Sequence, residues 1–183
     1  DESTELKHWD SSYYSEKLKM QQFNLSQESL KPYFPAPKIL QGLFSILKRL
    51  YDIQVVEREA PVWHPDARYF ELEDQGEVIG GFYFDLYARQ GKRGGAWMSG
   101  FRSRMRTHDG VQKPICYMVG NFTPPVGDKP ALLSHDEVIT LFHEFGHGLH
   151  HMLTEVDNIS VAGTHGVAWD AVELPSQFME FWA

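Results

Sequence analysis

Cysteine is almost absent from this chain, with Cys116 as its single example among 183 residues. An internal disulfide is therefore excluded, and such low cysteine usage is typical of a protein from the reducing cytosol. No apolar run approaches the roughly 18–20 residues that are needed to cross a bilayer, so we expect no membrane association.

Positive charge is also scarce, because the chain has 17 Lys and Arg against 25 Asp and Glu, which gives a formal net charge of −8. This balance disfavours a nucleic-acid surface, which requires clustered positive charge.

The two ends of the chain predict a fragment of a longer protein. The chain starts at Asp1 with neither a methionine nor a signal-like segment, and it stops at Ala183 inside an apparently helical pattern. A chain of 183 residues with 42% hydrophobic residues can bury one sizeable core. We therefore expect residues 1–183 to form one piece of a single domain.

Hydrophobic periodicity divides the chain into three parts. Residues 1–52 carry helical patterns, whereas residues 53–122 contain short runs of β-branched and aromatic residues separated by Gly, Pro and Asp. Helical patterns return only over residues 134–183. The order of helices, sheet and helices predicts an α+β fold, predominantly helical, with a small and mostly antiparallel sheet of three to five strands in the middle.

Local signals place individual elements within these parts. Residues 8–22 suit a moderately amphipathic helix, and the leucines and isoleucines of residues 38–53 recur at clear helical spacing. Asp74-Gln75-Gly76 and Asp109-Gly110 are typical of β-hairpin turns.

The most informative stretch is His143-Glu144-Phe145-Gly146-His147. Two histidines four residues apart on a helix share one face, with Cβ atoms about 5–6 Å apart. Both imidazoles then reach one zinc ion at about 2.0–2.1 Å. Glu144 follows His143 by roughly 100° around the helix, where its carboxylate is placed to hold a water molecule. This H-E-x-x-H pattern predicts a hydrolytic zinc site with Glu144 as general base.

The helix that carries the motif is well specified. Ser134 and Glu137 form an S-x-x-E capping box, which predicts that the helix starts there. Gly146 costs about 1 kcal/mol relative to Ala inside a helix. A glycine at this position indicates that another backbone or a substrate approaches the helix closely.

A catalytic zinc needs a third protein ligand and an open position. The acidic and histidine candidates downstream are Glu155, Asp157, His165, Asp170, Glu173 and Glu180. Glu155 lies too far along the same helix to reach back. Glu173 lies where a second helix can return antiparallel to the first, since a connection of about ten residues suffices. We select Glu173, which gives a His₂Glu site.

Several nearby residues have two interpretations each. His150 faces the same side as His143, either as a packed core histidine or as a partner of the ligands, and we expect His151 at the surface. His165 lies in a flexible turn and is a candidate ligand or substrate contact. Gln177 and Glu180 follow Glu173 by one and two turns, where they either orient a metal-bound histidine through its second nitrogen or face solvent.

The segments LFHEFGHGLHHML and GTHGVAWDAVELPSQFMEFW closely resemble the thimet oligopeptidase family of zinc peptidases, most of all its bacterial oligopeptidase A branch. AWMSGFRSR and NFTPP agree as well, so the resemblance covers essentially the whole chain. It implies that His143, His147 and Glu173 bind one Zn²⁺ per chain and that Glu144 is the catalytic base. It also implies a zincin-type enzyme in which the sheet lines a deep channel, and which hydrolyses short peptides in the bacterial cytoplasm.

The chain departs from the family pattern in what it leaves out. In the family, a tyrosine and a histidine that stabilise the tetrahedral intermediate follow the metal helices in a Gly/Tyr-rich loop, and no such segment precedes Ala183. The helical domain that restricts channel entry in the family is also missing. We therefore expect this chain to bind zinc but to hydrolyse peptides weakly or not at all.

Two alternative functions are compatible with the same residues. A dipeptidyl carboxypeptidase of the same superfamily would keep the site and change only the cleavage register. A zinc-stabilised module without catalysis would close the site with a fourth ligand, such as His150 or His165. The pattern indicates no oligomeric state.

Overall fold

A computed structural model describes residues 6–24 and 26–183. The helices are α1 (Asp10–Phe23), α2 (Gln27–Leu30), α3 (Ala36–Tyr51), α4 (His135–Met152) and α5 (Leu174–Glu180), with a 3₁₀ turn at Lys31–Tyr33. The strands are β1 (Gln54–Arg58), β2 (Arg68–Asp74), β3 (Glu77–Tyr87), β4 (Trp97–Arg102), β5 (Met105–Thr107), β6 (Gly110–Gln112) and β7 (Ile115–Phe122). None of the described helices combines the length and the apolar character that a membrane span requires.

The main sheet has the strand order β1-β2-β3-β7-β4, and β5 pairs with β6 in a separate hairpin. All neighbours in the main sheet are antiparallel except β3 and β7, which run parallel. The α+β class and the small, mostly antiparallel sheet are therefore confirmed. The helical excess is smaller than we expected, because the residues between α3 and α4 form seven strands in the described part of the chain.

The predicted local elements have different outcomes. Both hairpins are confirmed, since Asp74 pairs with Glu77 and Thr107 pairs with Gly110 across their turns. Helix α3 lies where its periodicity placed it, and it buries leucines along one face. Helix α1 also forms, over Asp10–Phe23, where residues 8–22 were predicted to be helical, and none of its described residues is buried.

Aromatic side chains of the core pack α4 against one face of the sheet. Phe145, fully buried on α4, lies edge-on to Phe82 of β3 with ring centroids 5.6 Å apart. Phe44 of α3 completes this contact, 5.5 Å from Phe70 of β2 and 6.5 Å from Phe145. Edge-to-face aromatic pairs add to the burial of apolar area, so the helix that carries the H-E-x-x-H motif has a rigid support.

Gly146 is the point where the α5 segment approaches α4 most closely. A Cβ atom at this position would lie 2.5 Å from the Pro175 carbonyl oxygen and 2.6 Å from Ser176 Cα. Both obstructing atoms belong to backbone, so a side chain here forces the two helices apart. The close approach that the sequence predicted from this glycine is confirmed.

We expect Gly146→Ala to lower the free energy of unfolding by about 1–3 kcal/mol, the usual cost of overpacking. The measurement is urea denaturation followed by circular dichroism. Gly42→Ala is the matched control, because Gly42 lies inside α3 and a Cβ there meets nothing within 4 Å. That change should raise stability by up to about 1 kcal/mol through helix propensity. A Gly146→Ala variant as stable as the Gly42→Ala variant would contradict the close packing.

The opposite face of the sheet contains a buried charge cluster that the sequence did not reveal. Asp85 of β3 is only 3% exposed. Its carboxylate accepts hydrogen bonds from both terminal nitrogens of Arg89, at 2.6 and 2.7 Å, and from Lys92 Nζ at 2.9 Å. Trp63 Nε1 donates a further bond at 2.9 Å. Burial favours the neutral acid, but these donors prevail and hold the pKa of Asp85 well below its usual range.

We expect Asp85→Asn to lower the free energy of unfolding at pH 7 by about 2 kcal/mol, because charge-assisted hydrogen bonds are lost. The pKa of Asp85 is depressed in the folded state, so its stabilisation is present above pH ~4 and lost as the pH falls. The deficit of the variant should therefore shrink by about 1 kcal/mol between pH 7 and pH 3 in urea titrations. Asp109→Asn, at an exposed turn, is the control. A deficit that is independent of pH would contradict the low pKa.

Candidate metal centre

Helix α4 begins where the capping box predicted. The Glu137 backbone N–H donates to Ser134 Oγ at 3.2 Å, and the Ser134 backbone N–H donates to Glu137 Oε2 at 2.7 Å. Apolar residues of α4 are buried against the sheet, whereas His143 and His147 are only partly buried. Their ring centroids are 4.9 Å apart and their planes are nearly perpendicular. The four-residue spacing therefore brings both imidazoles to one place.

Helix α5 returns antiparallel to α4, as the contacts at its two ends show. Glu173, immediately before α5, lies beside His147, with Oε2 3.0 Å from Nε2. Glu180, at the other end, lies beside His143, with Oε1 2.6 Å from Nδ1. The sequence placed Glu173 within a helix, but the described helix starts only at Leu174.

The three selected side chains converge. Glu173 Oε2 lies 3.3 Å from His143 Nε2 and 3.0 Å from His147 Nε2, and all three candidate ligand atoms lie within 4.8 Å of one another. Ligands about 2.0–2.1 Å from a tetrahedral zinc are roughly 3.4 Å apart, so these separations fit one ion. Two imidazole nitrogens and a carboxylate oxygen are also a donor set that zinc accepts. The geometry suits a metal ion without further rearrangement of the helices.

Two further contacts orient these side chains. The Nδ1–H of His143 donates to Glu180, which leaves Nε2 directed at the cluster. Ser176 Oγ donates to Glu173 Oε2 at 2.8 Å and also to the Glu173 carbonyl oxygen at 2.8 Å. Sequence reasoning missed Ser176. Its spacing of three residues after Glu173, at the start of a helix, is the signal that could have identified it.

Glu144 lies beside the cluster and faces β4. Burial raises the pKa of Glu144, and this effect outweighs the nearby His143 and a hydrogen bond with the Met98 backbone, both of which favour the carboxylate. Burial likewise lowers the pKa of His147, which favours the neutral imidazole that a metal requires. The site thus combines a candidate ligand of lowered pKa with a carboxyl group of raised pKa.

Three other candidates do not join this cluster but line a cavity next to it. His150, His165 and Gln177 line a cavity of about 990 Å³, bounded mainly by apolar side chains of α4, α5 and their connection. The residues around this cavity do not include the three ligand candidates. His165 Nδ1 lies 3.2 Å from the Ala162 carbonyl oxygen, so the described turn holds it locally. Among these four secondary candidates, Glu180 is the one that the described structure places in hydrogen-bond contact with a candidate ligand, His143.

The predicted position of His151 at the surface is wrong. We expected it at the surface, but it is 1% exposed, and its Nε2 lies 3.0 Å from the carbonyl oxygen of Arg102. Periodicity along α4 cannot anticipate this, because the segments that cover His151 come from β4 and from the connection between α4 and α5.

Comparisons with known proteins identify a family for this chain. The family model described as Peptidase family M3 matches residues 1–183. The chain is 59% identical to oligopeptidase A of Escherichia coli and 58% identical to that of Salmonella typhimurium, in each case over 97% of the chain and 27% of the relative. It is 41% identical to the dipeptidyl carboxypeptidase of E. coli, over 96% of the chain and 26% of the relative.

The chain spans about a quarter of the length of these relatives. The match nevertheless covers the whole chain, including both helices of the candidate metal centre. The resemblance that the sequence motifs indicated is confirmed: the chain belongs to peptidase family M3.

Proposed function

We propose that this chain carries the metal site of a zinc-dependent oligopeptidase, a metalloendopeptidase that hydrolyses short peptides. The convergence of His143, His147 and Glu173 beside Glu144 carries the proposal. These residues would hold one Zn²⁺ per chain. We also propose the bacterial cytoplasm as its location, in keeping with its single, fully buried cysteine.

A zinc ion held by these residues would supply Lewis-acid polarisation of the peptide carbonyl and of water. Glu144 is the general base, which accepts the proton of the attacking water and passes it to the leaving amine. Burial raises the pKa of Glu144, which increases its basicity as a proton acceptor. Glu180 keeps the His143 ring in the orientation that directs Nε2 to the ion.

The edge of strand β4 can bind the backbone of a substrate peptide. Among the described strands, β4 is the last one of the main sheet, paired with β7 on one side only. Its Met98 backbone contacts Glu144, so its unpaired edge runs past the proposed base. An extended peptide can add to such an edge through main-chain hydrogen bonds, with little dependence on side-chain identity.

The alternatives differ in how far observations support them. The hypothesis of a dipeptidyl carboxypeptidase is supported by 41% identity to such an enzyme. This hypothesis keeps the same site and differs only in the position at which the peptide is cut. A closed, non-catalytic zinc module has less support. His150 and His165 do not join the ligand cluster among the described residues, and the side chain of Glu173 is 50% exposed.

Metal analysis combined with peptide hydrolysis tests the proposal. The purified chain, loaded with Zn²⁺ and desalted, should contain one zinc per chain. We expect it to cut a nine-residue peptide slowly at most. Mass spectra of the products separate internal cleavage from release of C-terminal dipeptides. Failure to bind zinc, or hydrolysis that persists unchanged after chelation, would refute the function.

We expect Glu180→Ala to weaken zinc binding by about 10–100-fold, the usual cost of removing a carboxylate that orients a metal-bound histidine. Competition titration with a fluorescent zinc chelator measures this affinity. Glu155→Ala is the control, since Glu155 is an exposed acid beyond the end of α4. Equal zinc affinities for the two variants would exclude the orienting role of Glu180.

A further inference from the structure

His151 lies at the junction of three segments around the candidate metal centre. It follows His147 by four residues on α4, and it is buried between β4 and the connection from α4 to α5. Its Nε2 lies 3.0 Å from the Arg102 carbonyl oxygen. A carbonyl oxygen can only accept a hydrogen bond, so Nε2 carries the proton.

The Arg102 carbonyl belongs to a β-bulge. Gly100 of β4 lies opposite Cys116 of β7, whereas Arg102 lies opposite Ile115, so Phe101 is an extra residue in β4. A bulge bends its strand and redirects the residues on either side. The His151 ring therefore bonds β4 at the point where its direction changes.

The space around His151 is closed on two sides by glycines. A Cβ atom on Gly100 would lie 3.0 Å from His151 Cε1. A Cβ atom on Gly163 would lie 3.0 Å from His151 Cα and 3.1 Å from its carbonyl oxygen, and Gly163 has a φ of +61°. The strand and the connection therefore reach the histidine only because both positions lack side chains.

The connection is also tied to the far end of β4. Arg104 Nε, just beyond β4, donates to Asp157 Oδ1 at 2.8 Å, and the Arg106 backbone N–H of β5 donates to the Asp157 carbonyl oxygen at 2.9 Å. The same connection continues to Glu173. The His151 contact and the Asp157 contacts therefore join helix α4, the edge strand and the segment that leads to the third candidate ligand.

We propose that His151 is a positioning residue, which holds the bulge of β4 and thereby places the free edge of β4 against Glu144. The Met98 backbone, four residues before Arg102 on the same strand, contacts Glu144, so a shift of β4 changes this spacing directly. The part of the inference that concerns peptide binding rests on the proposed function. The part that concerns β4 does not.

The neutral ring of His151 carries one hydrogen-bond donor. Burial lowers the pKa of His151, although the Arg102 carbonyl that accepts from Nε2 and the nearby Ile115 backbone oppose this effect, so the neutral ring with one N–H is favoured. Its Nδ1 has no hydrogen-bond partner in the described part of the chain. If His151 only filled space, replacement by leucine would remove an unsatisfied nitrogen and be neutral or stabilising.

Hydrogen–deuterium exchange on the metal-free chain tests the placement of β4. His151→Leu should make the amides of residues 97–102 exchange about tenfold faster, the effect of losing one buried hydrogen bond. His151→Gln, which keeps an N–H donor at similar reach, should restore most of the protection. His108→Leu at an exposed turn is the matched control. Unchanged exchange in His151→Leu, or no rescue by His151→Gln, would overturn the proposal.

Two measurements keep the inference testable if His151→Leu does not fold. In the wild-type chain, ¹⁵N-histidine NMR should show His151 protonated at Nε2 and not at Nδ1, and the opposite tautomer would overturn the proposal. In the zinc-loaded chain, His151→Gln should keep KM for an eight-residue peptide within about threefold of wild type. A wild-type chain that binds no zinc would refute the proposed function alone, and the exchange and NMR results would still decide the role of His151.

Discussion

Replacing Glu144 by Gln is expected to lower peptide hydrolysis by the zinc-loaded chain about 10²–10⁴-fold, the usual contribution of a general base. The amide has nearly the same shape as the carboxylate but cannot accept the proton of water. Because Glu144 is not a proposed ligand, the variant should still contain one zinc per chain. The measurement is cleavage of a quenched fluorescent octapeptide over long incubations, paired with metal analysis of the same sample.

Glu155→Gln is the matched control, because it makes the same chemical change at an exposed position beyond α4. It should leave both zinc content and hydrolysis unchanged. Equal activity of the Glu144→Gln variant and the wild type would eliminate Glu144 as the base. Loss of zinc in that variant would instead mean that Glu144 supports the metal.

Replacing His147 by Ala is expected to weaken zinc binding more than about 100-fold, beyond the 10–100-fold that loss of an orienting partner costs. The variant removes one of three converging candidate ligand atoms, and the two remaining protein donors would leave half of a tetrahedral zinc shell to water. Zinc affinity is measured by chelator competition. His108→Ala, at an exposed turn, should bind zinc as the wild type does.

Thermal unfolding provides a second readout of the same change. Zinc bound at a concentration 100 times its Kd adds about 2.7 kcal/mol of stability to the wild type, and this gain should disappear in the His147→Ala variant. A zinc-dependent rise in Tm of equal size in both proteins would show that the ion binds elsewhere.

The elements that could be predicted from the sequence depend on neighbours along the chain. Helix α4 is an example, since Ser134 and Glu137 satisfy its first amides and the apolar repeat defines its buried face. The two hairpin turns are another. Asp85 could not be predicted, because its partners Trp63, Arg89 and Lys92 converge on it only when β3 and its flanking loops are folded.

In the candidate site, too, some features follow from neighbours along the chain and others only from tertiary contacts. The spacing of His143 and His147 required only the pitch of a helix, and the choice of Glu173 required only that a second helix could return. Ser176, the bond of Glu180 to His143 and the Met98 contact of Glu144 required the real path of α5 and β4. The surface placement predicted for His151 failed because a pattern along α4 contains no information about what packs on it.

The sequence alone determined the proposed type of chemistry and the candidate residues for it, because the residue types of candidate ligands and their helical spacing are local properties of the chain. Only the tertiary structure decided how those residues meet. It brought Glu173 within 3.3 Å of both histidine nitrogens, since Gly146 admits the backbone of Pro175 and Ser176. It also placed β4 beside Glu144 and buried His151 beneath the bulge, through contacts between segments far apart in sequence.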